Sequence, residues 1–96
     1  MARSLNLEAT INVPRNMLFD DLRLTPVVTE RIDEQAMEVF RGFLRRSGED
    51  PDSINIEIRV RTVDRAKWEQ RQADPTTWQH VPFYVKAVIT RRPRIF

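Results

Sequence analysis

The chain has 96 residues, of which 41% are hydrophobic and 31% are charged, and its formal net charge is +2. This size and composition indicate one soluble globular domain over residues 1–96. The lack of cysteine excludes disulfides, thiolate nucleophiles and thiolate metal sites. No apolar run approaches the roughly 20 residues that span a bilayer, so we expect a cytoplasmic protein that makes no membrane contact.

Residues 5–13 begin the predicted fold as a half-buried β-strand, because apolar and polar side chains alternate there. The next segment, residues 14–28, holds seven apolar side chains without a clear period. Two interpretations are open for this segment. Either it covers the open end of the core, or its surplus apolar side chains stay on the surface and contact a partner.

A main helix is predicted to follow Thr29, a suitable N-cap residue, and Gly48 offers it a left-handed stop. Its apolar side chains recur at helical spacing, and they belong to Ile32, Ala36, Val39, Phe40, Phe43 and Leu44. Gly42 inside this helix costs up to about 1 kcal/mol relative to alanine. Such a glycine favours the close approach of another backbone.

Residues 54–61 and 83–90 alternate as the first strand does, which predicts two more strands. The other face of the first two strands is wholly polar, so we expect that face of the sheet to be open to solvent. The predicted fold is therefore α+β, in the order β-α-β-(short α)-β. It has a small three- to four-stranded mixed or antiparallel sheet and one main helix packed on one face.

The connector between the last two strands, residues 64–80, holds both tryptophans and the only histidine. Asp64 is a suitable cap for a short helix, and Asp74 is a suitable cap for a second helical turn after a break. We expect Trp78 to pack against the core. Trp68 stands among charged residues, so packing and partial exposure are both open for it.

Catalysis has little support in the sequence. His80 is the single imidazole, and its nearest acidic candidates as partners are Asp64 and Asp74. The two glycines are too few for a phosphate-binding loop, and a single histidine does not make up a metal-ligand set. We therefore predict a protein that is not an enzyme and holds no cofactor or metal.

The second part of the chain is basic and predicts one possible function, nucleic-acid binding. Residues 59–96 hold seven arginines and two lysines against three acidic residues, a net charge of +6. A cationic sheet face with an aromatic side chain suits a single strand of DNA or RNA. The candidate nucleic-acid-binding residues are Arg59, Arg61, Arg65, Lys67, Arg71, Tyr84, Lys86, Arg91, Arg92 and Arg94.

Protein binding is the function that we favour from the sequence. Phe19, Leu22 and Trp68 are the candidate partner-binding residues, because the segment 14–28 and the connector hold the apolar side chains least needed by a small core. We expect a non-enzymatic binding module that acts as a homo-oligomer or as a regulatory or structural subunit of a larger assembly. Residues 91–96 are predicted to form a flexible basic tail.

Overall fold

A computed structural model describes residues 5–74, 76 and 79–91 of the chain, with residue 91 described by its backbone only. Short 3₁₀ turns occupy Arg15–Met17 and Pro51–Ser53. The helices and strands are β1 (Leu5–Pro14), α1 (Pro26–Arg46), β2 (Ile54–Val63), α2 (Arg65–Gln72) and β3 (His80–Arg91). Trp78, Pro75 and residues 92–96 of the predicted basic tail lie outside the described residues.

Within the described residues, the sheet has three strands in the order β1-β3-β2, and both pairings are antiparallel. Strand β3 therefore lies in the middle, and β1 and β2 form the two edges. This arrangement confirms the predicted small α+β fold with an open sheet. None of the described helices is long and apolar enough to cross a membrane.

Helix α1 covers one face of the sheet with a single row of buried side chains. Each step along this row is four residues, so the side chains stack on one side of the helix. The row consists of Val28, Ile32, Ala36, Phe40 and Leu44. It meets the alternating apolar side chains of the sheet, of which Val13, Val81, Phe83, Val85 and Ala87 are almost fully buried.

Helix α1 begins earlier than the sequence indicates, so the prediction of Thr29 as its N-cap was wrong. The cap is Thr25, whose hydroxyl oxygen accepts a hydrogen bond from the backbone N–H of Val28 at 3.3 Å. Pro26, which reads as a helix breaker in the sequence, occupies the first turn. Proline is favoured there because its missing N–H would have no partner within the helix.

A β-bulge in β2 reverses which side chains face α1. Ile58 pairs with Ala87, but Val60 pairs with Lys86 and Arg61 with Val85. The extra residue shifts the alternation by one position beyond the bulge. Arg61 consequently points to the helix side of the sheet and Val60 to the open side, the reverse of the uninterrupted alternation expected from the sequence.

Helix α2 lies at one end of the sheet, where it contacts β3. As predicted, Asp64 caps it, with its carboxylate accepting from the Lys67 N–H at 3.2 Å. The Lys67 ammonium donates to the Thr10 hydroxyl at 2.9 Å. Thr10 lies on the sheet face that points away from α1. The contact with Lys67 therefore brings α2 to the edge of this otherwise open face.

The two glycines have opposite roles, which gives a first prediction. Gly48 ends α1 with φ +80°, whereas an added Cβ at Gly42 would meet only the flexible end of the Arg46 side chain at 3.4 Å. Among the described residues, no backbone atom from another part of the chain is one of the nearest neighbours of the added Cβ at Gly42, contrary to the expectation from the sequence. We expect Gly42→Ala to raise the free energy of unfolding by roughly 0.5–1 kcal/mol and Gly48→Ala to lower it by about 1 kcal/mol. Urea unfolding of both variants tests this, and a destabilised Gly42→Ala variant would contradict it.

Candidate functional site

Arg61 does not join the open sheet face, because the bulge turns it toward α1. Its Nη2 donates to Oδ2 of Asp33 at 2.8 Å, and its Nε donates to Oδ1 of the same carboxylate. These hydrogen bonds with Asp33 are the chief reason why the pKa of Arg61 is raised. The positive charge of Arg61 is thus paired within the chain.

The open face of the sheet carries charges of both signs. Tyr84 and Lys86 lie there on the central strand, and Glu8 lies on the neighbouring β1. The Tyr84 hydroxyl donates to Glu8 at 2.8 Å, and this hydrogen bond raises the pKa of Tyr84. Arg59 pairs with Glu57 at 3.0 Å. A phosphate chain approaching this face would meet carboxylates as well as cations.

The remaining candidate cations are spread over other parts of the chain. Arg65 is exposed on α2. Lys67 lies 3.9 Å from Asp64, and Arg71 donates to the backbone oxygen of His80 at 3.0 Å. The side chain of Arg91, together with Arg92 and Arg94, lies outside the described residues.

His80 is exposed beside a shallow groove rather than in an enclosed site. Pro14, Arg15, Asn16, Gln79 and His80 line this groove. Neither acidic candidate lines it: Asp64 caps α2, and Asp74 accepts two hydrogen bonds from Thr76, which lower the pKa of Asp74. No group of three or more metal-ligating side chains occurs within the described ranges.

Residues 14–28 divide between core and surface. Leu18 and Val28 are buried, and Leu22 packs partly against the core. Phe19 and Leu24 are 53% and 40% exposed. The surplus of apolar side chains that the sequence indicates is therefore present on the surface. We call Phe19, Leu22 and Leu24 the loop patch.

Trp68, the third candidate partner-binding residue, is only 8% exposed and belongs to the main core cluster. It anchors α2 to the rest of the chain. Of the two alternatives that the sequence leaves open for Trp68, the structure therefore shows the packed one. Its indole is not available as an exposed contact in the isolated chain.

The sequence predicted Val39 and Phe43 on the same apolar face of α1 as the buried row, but both are exposed on a second row of the helix. Beside the buried row runs another row at four-residue spacing, consisting of Val27, Arg31, Gln35, Val39 and Phe43. We call it the side row. Val27, Val39 and Phe43 are 67%, 36% and 39% exposed. The sequence already contained a sign of this exposure. A small sheet can bury one row of helix side chains, and α1 has apolar residues on two rows.

Two surfaces therefore have the composition of contact sites, the loop patch and the side row. No protein-family model matches this chain, and no curated protein or solved structure is detectably similar to it. The physical properties of these surfaces are thus the basis for a functional proposal.

The Arg61–Asp33 pair gives a second prediction. Because the two side chains are only 26% and 33% exposed, Asp33→Asn should lower the free energy of unfolding by roughly 1–2 kcal/mol. The control is Glu57→Gln, which removes the exposed pair with Arg59 and should cost less than about 1 kcal/mol. Urea unfolding measures both changes. Equal losses for the two variants would contradict a special role for the Arg61 pair.

Tyr84 gives a third prediction, and it is easily followed because the chain has a single tyrosine. The hydrogen bond to Glu8 raises the pKa of Tyr84 in the folded state. The stabilisation of the fold by this hydrogen bond is therefore present below the ordinary tyrosine pKa of about 10. It is lost as the pH rises through the folded-state pKa. Tyrosinate absorbance should therefore appear at lower pH in Glu8→Gln than in the native chain. Glu57→Gln, on the same face, should leave the midpoint unchanged. An unshifted Glu8→Gln midpoint would disprove the coupling.

Proposed function

We propose that this chain is a small non-enzymatic protein-binding module and that the loop patch is its contact surface. The observation that carries the proposal is the exposure of Phe19 and Leu24 on a short segment that is fixed by hydrogen bonds. Large exposed apolar side chains held in place are typical of protein contact sites. Such a module acts as a structural or regulatory subunit of an assembly.

The loop is fixed chiefly by Arg15. Its guanidinium donates to the backbone oxygens of Leu18 and Phe19 at 3.2 and 3.4 Å, and it lies 3.4 Å from Asp20. The backbone N–H of Leu22 donates to the oxygen of Phe19 at 2.9 Å. A surface ordered before binding loses less conformational entropy when a partner docks.

The strained backbone conformation of Leu22 also supports the loop patch as a functional site. Its φ of +57° lies in the left-handed region, which costs a leucine roughly 1–2 kcal/mol. Strained residues of this kind persist where the surrounding structure holds them, and they cluster at functional sites. This left-handed conformation turns the chain between Phe19 and Leu24, whose side chains are both exposed.

The charged groups around the Phe19 ring favour a partner whose contact surface has an apolar centre and polar surroundings. The guanidinium of Arg23 lies 4.3 Å from the centre of the Phe19 ring. Asp21 accepts a hydrogen bond from the backbone of Arg23 at 3.2 Å. An aromatic side chain edged by an arginine and carboxylates matches the usual anatomy of an interface, which has an apolar core and a polar rim.

Nucleic-acid binding, the alternative function, has weaker support. The pairing of Arg61 with Asp33 and of Arg59 with Glu57 reduces the positive potential that a phosphate backbone would meet. Glu8 shares the open face with Lys86. Protein binding needs no such cationic surface, so it is the function that we propose.

The test of the proposal uses the full chain immobilised as bait, with captured proteins of the source cell quantified by mass spectrometry. Phe19→Asp should weaken binding of a specific partner by about tenfold or more, because it places a charge at the apolar centre of the contact. The matched control is Gln70→Asp, which adds the same charge at an exposed position of α2.

A purified partner should then bind the control and the native chain equally in a direct titration. Circular dichroism establishes that both variants are folded. Capture of the same proteins by Phe19→Asp and Gln70→Asp in equal amounts would contradict the proposal.

A further inference from the structure

The two edges of the sheet differ in their protection against pairing with another chain. The β2 edge has a bulge and three charged residues, Glu57, Arg59 and Arg61. The β1 edge is ten residues long, has an uninterrupted register with β3, and carries one charge, Glu8. Natural proteins use bulges and charges to keep sheet edges from pairing. The β1 edge has no bulge and only this one charge.

The side row of α1 lies on the same side of the molecule as this edge. Asp33, on one flank of the buried row, reaches Arg61 of β2. Val39 and Phe43 lie on the opposite flank, so they face toward β1. Leu5, on the helix side of β1, is 59% exposed. Exposed apolar side chains therefore accompany an unprotected strand edge.

We propose that β1 and the side row form a two-fold interface between two copies of this chain. The β1 strands pair antiparallel about Ala9, which joins the two sheets into one continuous sheet with both α1 helices on the same face. This interface is separate from the loop patch, so it does not depend on the function proposed above.

The register about Ala9 is set by the side chains of β1. This register pairs Leu7 with Ile11 and Asn6 with Asn12. Throughout residues 5–13, apolar residues then lie opposite apolar residues and polar residues opposite polar residues. A shift of the two-fold axis to Glu8 would place the two Glu8 carboxylates opposite each other, which is destabilising. A shift to Thr10 would draw Pro14, which lacks an N–H, into the pairing.

Charge complementarity supports a second copy as the occupant. In this register Glu8 of one copy lies opposite Thr10 of the other. Lys67 already donates to Thr10 at 2.9 Å within its own chain, so its ammonium lies within reach of the Glu8 carboxylate across the interface. Two-fold symmetry makes this ion pair twice. The only charge on the β1 edge thereby meets an opposite charge.

The side row fits the same two-fold axis. Its middle residue is Gln35, next to Ala36 at the centre of the buried row. Leu44 near the end of α1 shares a core cluster with Leu7 near the start of β1, so α1 runs antiparallel to β1. Antiparallel side rows then bring Val27 against Phe43 and Arg31 against Val39, in the ridge-into-groove manner of rows at four-residue spacing.

The estimated size of the contact lies at the lower end of the range for stable complexes. Residues 5–13 extend about 30 Å, and the sheet with its helix layer is about 20 Å deep. The contact therefore covers about 600 Å² on each copy. This approaches the roughly 800 Å² on each partner that stable complexes bury.

The first experiment measures the mass of the full chain in solution by light scattering across a range of concentrations. The native chain is expected to be a dimer, and Phe43→Glu should weaken dimerisation by about tenfold or more. Leu24→Glu, a matched charge in the loop patch, should leave the dimer intact. A native chain that is monomeric throughout, or a dimer unaffected by Phe43→Glu, would overturn the proposal.

The charge pair is tested by reversal. Glu8→Lys and Lys67→Glu should each weaken the dimer, and the double variant should recover most of the loss. Failure of the double variant to recover would contradict the pairing of Glu8 with Lys67 across the interface.

The register is tested by disulfide formation, for which the lack of native cysteine is an advantage. A mixture of Asn6→Cys and Asn12→Cys chains should give a mixed disulfide, because directly opposite residues are close enough to be bridged. Either variant alone should not form one, since its own copies would lie about 20 Å apart along the strands. A disulfide from either variant alone, or none from the mixture, would overturn this register.

Discussion

The attachment of α1 to the sheet by a single row of side chains is the constraint on which the other features depend. A three-stranded sheet offers a narrow apolar face, and the row from Val28 to Leu44 fills it. The apolar residues of the neighbouring side row on α1 are therefore not buried by the described part of the chain. Limited sheet width is thus the physical reason why apolar side chains remain exposed on a helix that is otherwise well packed.

The bulge in β2 determines the electrostatic character of the molecule. By moving Arg61 to the helix side, it forms the pair with Asp33 and removes one cation from the open face. It also interrupts the β2 edge, whereas the β1 edge remains regular. One inserted residue therefore weakens the support for a nucleic-acid surface and leaves β1 as the edge suited to pairing with another strand.

The sequence was a good guide where one local pattern decides the structure. Period-two alternation located the strands, and the Asp64 cap located α2. It also indicated surplus apolar residues near Phe19. It was wrong about the start of α1, because Thr29 and Thr25 are both suitable caps and Pro26 is compatible with either a break or a first turn. It left Trp68 undecided, since burial depends on where α2 docks.

The amino-acid sequence by itself determined the α+β class, the order of its elements and the excess of apolar side chains over what one small core absorbs. The reason is that helix and strand periods are local properties of the chain. Only the tertiary structure decided that β3 lies in the middle, that Arg61 turns toward Asp33 and that the side row lies beside an unprotected strand edge. These features depend on strand pairing and register between residues distant in sequence, and a shift of one residue exchanges the two faces of a strand.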